Sequence, residues 1–215
     1  MSSRKPPNRG VRGKNIGKFF SVKMNTMVWY ESLLEMYLMF LLDFDPGVKS
    51  FKEQPCRIHY AQDGKERHYT PDLLVVRADK TQLVEVKPRD KITKYDLLFR
   101  LVSPICQQEG YEFLVFTDEK IRLEPRLSNV MSLWRYARTR LYQQYQIYCH
   151  EMLQDRQVIS LAETFEICKS KEIPKQAIYA LLFWGILDFD LMTPLSLDSL
   201  IYLPNTAALS AREEL

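Results

Sequence analysis

The 215-residue chain is poor in the side chains that build soft-metal centres. It has three histidines (His59, His68, His150) and four cysteines (Cys56, Cys106, Cys149, Cys168). No two cysteines form a CxxC pair and no HExxH run occurs, so a zinc site is not expected. The wide cysteine spacing fits reduced thiols in a cytoplasmic protein. No uncharged apolar run reaches the ~18 residues of a membrane span, so no membrane partner is expected. The N-terminus is basic and polar without an apolar h-region, so no secretory signal is expected. There is no internal repeat, and low complexity is confined to the N-terminus.

What is present is an uneven distribution of charge. The chain is net +3. Residues 1–149 hold 25 Lys and Arg against 17 Asp and Glu, whereas residues 150–215 hold 5 against 10. A basic front suits a polyanionic partner, and an acidic rear suits something else. Residues 1–20 carry six basic residues and no acidic one, and are expected to form a flexible arm.

Met27 to Leu42 is expected to be a long apolar helix, ended by Asp43-Phe44-Asp45-Pro46-Gly47. Strands are expected over Cys56 to Ala61, Glu66 to Ala78 and Gln82 to Lys87, the first pair joined by a turn at Asp63-Gly64. A helix from Lys94 to Gln108, with Tyr95, Leu98, Leu101 and Val102 as its buried stripe, and a strand from Tyr111 to Thr117 complete the front half. Residues 118–130 are expected to be a connection.

Two of these strands carry charges in apolar surroundings: Thr70-Pro71-Asp72-Leu73-Leu74-Val75 and Val84-Glu85-Val86-Lys87-Pro88. Side chains alternate along a strand, so Glu85 and Lys87 share a face with Leu83, and Val84 and Val86 face the other way. Asp72 can reach the same face from the neighbouring strand. Pro71 has no backbone donor and weakens the ladder there. Two carboxylates and a lysine in this arrangement suit a divalent-metal nuclease. Hard oxygens hold Mg2+, and the lysine positions a water and balances charge on the phosphate. Two similar strings, Asp63-Gly64-Lys65 and Asp118-Glu119-Lys120, lie in a turn and after a strand, not inside one.

A third acid is expected from the first helix. Glu31 and Glu35 are four apart and share a face. Glu35 lies deeper among apolar residues, where an uncompensated carboxylate is costly. Three carboxylates about one point repel by about 4 kcal/mol per close pair at an effective dielectric near 20, which a cation resolves. Glu35 is therefore the expected third ligand and the aid to a second metal. The backbone carbonyl of Val86 is a further candidate ligand.

At these residues the chain resembles the TnsA family, the endonuclease subunits of heteromeric cut-and-paste transposases, including CRISPR-associated ones. The resemblance rests on Ser32-Leu33-Leu34-Glu35, Leu42-Asp43-Phe44-Asp45-Pro46, Glu53-Gln54-Pro55, Tyr69 to Val75 and Val84 to Pro88. It implies a mixed α/β (α+β) fold with a restriction-endonuclease-like PD-(D/E)xK core over 21–125 and a winged-helix-like domain over 126–215. It also implies Mg2+-dependent cutting of the 5′ strands at transposon ends, with Mn2+ as a substitute metal. The implied partners are double-stranded DNA, a strand-joining transposase subunit and an AAA+ regulator ATPase, in a bacterial cytoplasm. The family's acidic helix residue falls on Glu35. Some members carry Gln where this chain has Glu85, and Glu binds a metal at least as well. A stand-alone repair, restriction or junction-resolving nuclease and a non-catalytic DNA scaffold are the rival readings.

In the rear half, helices are expected over Met131 to Leu153, Ser160 to Ser170 and Lys175 to Leu187. Ser160 and Glu163 form a capping box in the second. Asp188 to Leu191 and Leu197 to Leu203 are expected to pair as a small hairpin. The third helix offers only Lys175 and Gln176 near its start, and the module is acidic, so protein docking is favoured over DNA reading. In Met131 to Leu153, Arg135, Arg138 and Arg140 mix with aromatics and suit either a DNA backbone or a solvated face.

Overall fold

The computed structural model describes residues 15–204. The chain divides into two compact units, one of residues 1–39 and 48–121, the other of residues 40–47 and 122–215. Residues 1–14 of the expected arm lie outside the described residues.

The first unit opens with a hairpin of β1 (Gly17–Ser21) and β2 (Thr26–Tyr30). The arm expected to run to residue 20 thus ends earlier, and the helix expected from Met27 begins only at Leu33, as α1 (Leu33–Phe44). Val28, Trp29 and Tyr30 favour a pleated surface, and Asn25, at φ 52°, supplies the turn that brings β1 alongside. Gly17 lies against the Tyr30 ring, where a Cβ would clash.

After α1 come β3 (Val48–Glu53), β4 (Ile58–Gln62), β5 (Lys65–Tyr69), β6 (Leu73–Arg77), β7 (Thr81–Lys87), α2 (Ile92–Gln108), β8 (Glu112–Thr117) and the short α3 (Asp118–Ile121). A four-stranded mixed sheet runs β3-β6-β7-β8. Its first two pairings are antiparallel; β7 and β8 are parallel, as a helical crossover requires. β3 was not expected. It is an edge strand with two exposed lysines, which dilute the apolar signal. The run expected from Glu66 to Ala78 is two strands, because Pro71 cannot donate to a ladder. β5 pairs instead with β4, through the Asp63-Gly64 turn at φ 52° and 70°.

Leu83 on β7 packs with Ile58, Val102 and Cys106, surrounded by Tyr60, Tyr69, Leu98 and Phe113. Of the stripe expected on α2, Val102 is fully buried and Tyr95, Leu98 and Leu101 are half-buried. This core fixes β7 beneath α2 and so sets the level at which Glu85 and Lys87 emerge.

The second unit contains α4 (Arg126–Trp134), α5 (Gln143–Arg156), β9 (Val158–Ser160), α6 (Leu161–Lys169), α7 (Lys175–Phe183) and β10 (Leu200–Tyr202). The connection expected over 118–130 holds α3 and the start of α4. The helix expected over Met131 to Leu153 is broken between α4 and α5. The Ala137 carbonyl in that gap accepts from the Trp184 indole at 3.0 Å, and turns join Leu133, Trp134 and Tyr136 to residues three further on. α6 has the expected capping box of Ser160 and Glu163. α7 stops before Leu187 because Gly185 takes φ 69° just beyond its end. The expected hairpin reduces to one bridge, Asp188 to Tyr202, and β10 pairs with β9. Asn129 explains this. Its amide donates to the carbonyls of Leu191 (3.0 Å) and Thr193 (2.8 Å) and accepts from the Leu195 N–H (2.9 Å). That segment therefore has its backbone partners already. Among the described residues no helix is long and apolar enough to cross a membrane.

Candidate active site

Asp72 stands just before β6, and Glu85 and Lys87 lie on β7. The register pairs Leu74 with Leu83 and Leu73 with Val84, which puts Asp72 across from Glu85 on the face shared with Leu83. The Lys87 ammonium is ion-paired to Glu85 Oε1 and lies 3.5 Å from Asp72 Oδ2. It also donates to the Val86 carbonyl at 3.2 Å. Asp72 Oδ2 accepts from the Val86 N–H at 2.8 Å, and the Asp72 carbonyl accepts from the Gln54 N–H at 2.9 Å. The Asp72 carboxylate thus takes the Val86 N–H just beyond the end of the β6–β7 pairing. Glu85 is 3% exposed, so its charge depends almost wholly on these neighbours.

Tyr69 completes the cluster. Its hydroxyl donates to Glu85 Oε2, so each Glu85 oxygen has a partner. Tyr69 belongs to the quoted resemblance but was assigned no role; a tyrosine at the end of a short strand gives no chemical signal until the hairpin folds it onto β7.

Glu35 is placed differently. Its Oε2 accepts from the Glu31 N–H and its Oε1 from the Ser32 hydroxyl, both at 2.9 Å, while the Ser32 oxygen accepts from the Glu35 N–H at 3.2 Å. The carboxylate is folded onto the start of its own helix. Glu31 turns away and accepts from the Gln54 side chain at 3.1 Å. Asp72, Glu85 and Lys87 are therefore in direct contact, and Glu35 is coupled to them through the charge of Asp72. The string Asp118-Glu119-Lys120 lies in α3, where Asp118 accepts from the Arg89 N–H at 2.8 Å, and Asp63-Gly64 makes the β4–β5 turn.

Residues 45–118 match the family described as TnsA-like endonuclease N terminal. That span is similar to the family. The description points to a nuclease of transposition, and the span contains Asp72, Tyr69, Glu85 and Lys87 but not Glu35. No curated protein matches the chain.

Two acids of the TnsA-like domain are hard to ionise. Burial, and then the charge of Asp72, raise Glu85 to about 7 against the opposing pull of Lys87 and Tyr69. Burial and then Asp72 raise Glu35 to about 7 as well. Burial alone would lower Lys87, but Asp72 and Glu85 outweigh it and hold the ammonium above its ordinary value. Burial and the Glu85 charge raise Tyr69, which stays a phenol donor. One lysine therefore under-compensates the acids around it. Two hard carboxylates and the Val86 carbonyl are the donor set that a small divalent cation takes, and the shortage of positive charge favours one. Among the described residues no three acidic, histidine or cysteine side chains already surround a common point.

Proposed function

We propose that this chain is a Mg2+-dependent DNA endonuclease that cuts the 5′ strands at transposon ends and works with a separate strand-joining transposase. The observation that carries the reading is the Lys87 ammonium seated between Asp72 and Glu85 on adjacent strands of a TnsA-like domain. The order of elements supports a restriction-endonuclease-like PD-(D/E)xK core, with α1 before an antiparallel meander and α2 crossing to the parallel β8.

Asp72, Glu85 and the Val86 carbonyl would hold the metal, with Glu35 as the further acid. A bound divalent cation would supply charge neutralisation at the phosphate and a more acidic water. Lys87 keeps its proton, so it donates to that water or to the scissile phosphate and stabilises charge as it grows. Tyr69 keeps Glu85 turned toward Lys87. Ser32 and the Glu31 N–H hold Glu35 in reserve at the helix start.

The second unit has β9, α6, α7 and β10, with a bridge at Asp188, an order that supports a winged-helix-like module. Its apolar α7 offers little to a DNA groove, so docking to the transposase or to an AAA+ regulator is its role in this reading. Removing residues 154–215 should abolish partner capture and leave DNA affinity; the reverse result would overturn that role.

The deciding experiment is strand-resolved cleavage of a labelled transposon-end duplex with the partner transposase and Mg2+. The wild type should cut the 5′ strand and Lys87→Ala should not, with 3′ strand joining retained. Undiminished 5′ cutting by the variant would refute the assignment.

A further inference from the structure

The Lys87 ammonium lies 5.6 Å from the centre of the Tyr95 ring, and the Lys94 ammonium lies 5.9 Å from the same ring. Two cations share one aromatic side chain, and their separation cannot exceed those two distances combined. Tyr95 is itself held in place, stacked on Phe99 at 5.9 Å and 21°. Lys94 is exposed and, among the described residues, has no carboxylate partner. The nearby Asp96 is taken by Arg100 at 3.0 Å.

As plain solvated surface this arrangement is unfavourable. Arg89, Lys91 and Lys94 lie on the approach to and first turn of α2 against one acid there, Asp90, and Arg89 lies 3.9 Å from Glu119; the first turn of α2 itself has no acid and no side-chain cap. Positive charge at that end of a helix opposes the helix dipole. A polyanion lying across the turn would offset this.

We propose that Lys94 binds a backbone phosphate of the DNA one or two nucleotides from the cut, and that Tyr95 sets its distance from Lys87. The inference rests on the nuclease reading, which puts the cut phosphate at Lys87. Successive phosphates of one strand rise by about 3.4 Å along the axis and also turn about it, so they lie roughly 7 Å apart through space. The separation allowed by the shared ring therefore reaches the first or second of them. Lys94 acts on binding and register, and takes no part in bond breaking.

The test uses the full chain and a labelled transposon-end duplex, with the partner transposase present in the cleavage assay. Binding is measured across a salt series without divalent metal, and cleavage with Mg2+, for the wild type, Lys94→Gln and Lys94→Arg. Losing one phosphate contact should weaken binding about eight-fold near 0.1 M salt and lower the salt slope by about 0.9. Arginine should restore both, and the cleavage loss should fall on KM more than on kcat. A scan of neutral methylphosphonates around the cut should find one position that weakens the wild type as the variant is weakened, and that weakens Lys94→Gln no further. Wild-type binding by Lys94→Gln, with cutting intact, overturns the Lys94 contact alone. A binding defect in Lys94→Gln, with no cutting by the wild type under Mg2+ or Mn2+, overturns the nuclease reading and leaves the contact standing.

Discussion

Replacing Lys87 with methionine removes the ammonium and keeps an aliphatic stem over Tyr95. At 3.5 Å and an effective dielectric near 20, the lost attraction to Asp72 is about 5 kcal/mol before desolvation is set against it. Breaking such a pair from one side costs about 3–5 kcal/mol when the remaining charge cannot be shed. Here part of it can. Glu85 is raised to about 7 in the folded chain, so its favourable protonated form is present in acid and is lost as pH rises through that value. Without Lys87 it rises further. The variant should therefore already be less stable than wild type at pH 5, where Asp72 has lost its partner, and the gap should widen above pH 7, where only the wild-type Glu85 ionises readily, to about 2–3 kcal/mol at pH 8. In a chain of this size that is a Tm difference of about 5–10 °C. The assay is thermal unfolding of both proteins from pH 5 to 8, with and without Mg2+, beside strand-resolved cleavage. Mg2+ should raise the wild-type Tm more at pH 8 than at pH 5, because the acids must ionise to bind it. A Tm difference that does not change with pH, or cleavage retained by the variant, would refute the reasoning.

Tyr69→Phe removes the donor that lowers the Glu85 pKa. The acid limb of the pH–rate profile for cleavage should move to higher pH, and an unmoved limb would mean that Tyr69 is only packing. Ser32→Ala removes the hydroxyl that caps α1 and holds Glu35. About 1 kcal/mol of stability should be lost in denaturant unfolding. Asn129→Ala leaves the Leu195 N–H and two loop carbonyls without their partner. A loss of about 1–3 kcal/mol is expected, together with faster amide exchange confined to residues 191–195.

Much of the site could be read from the order of residues alone. Alternation along Leu83 to Lys87 puts Glu85 and Lys87 on one face whatever surrounds them, and a charged pair inside a valine-rich strand has few explanations. The Ser160–Glu163 box likewise specifies a helix start from four residues. Other features depended on partners distant in sequence. Thr26 to Tyr30 has apolar residues enough for a helix, and becomes a strand because Gly17 to Ser21 lies beside it. The 188–203 hairpin gives way because Asn129, some sixty residues earlier, takes the loop's backbone groups. Glu35 shows the same limit. Its type and depth mark it as a ligand, yet its oxygens lie on Ser32 and Glu31, a choice between two local partners that composition does not reveal. Strand and helix periods are local, so the order of residues is enough to put Glu85 and Lys87 on one strand face and Glu35 in the helix ahead of them. That Tyr69 holds Glu85 and that Tyr95 meets Lys87 follows from folding alone, because those contacts exist only after α2 and the β4–β5 hairpin close over β7.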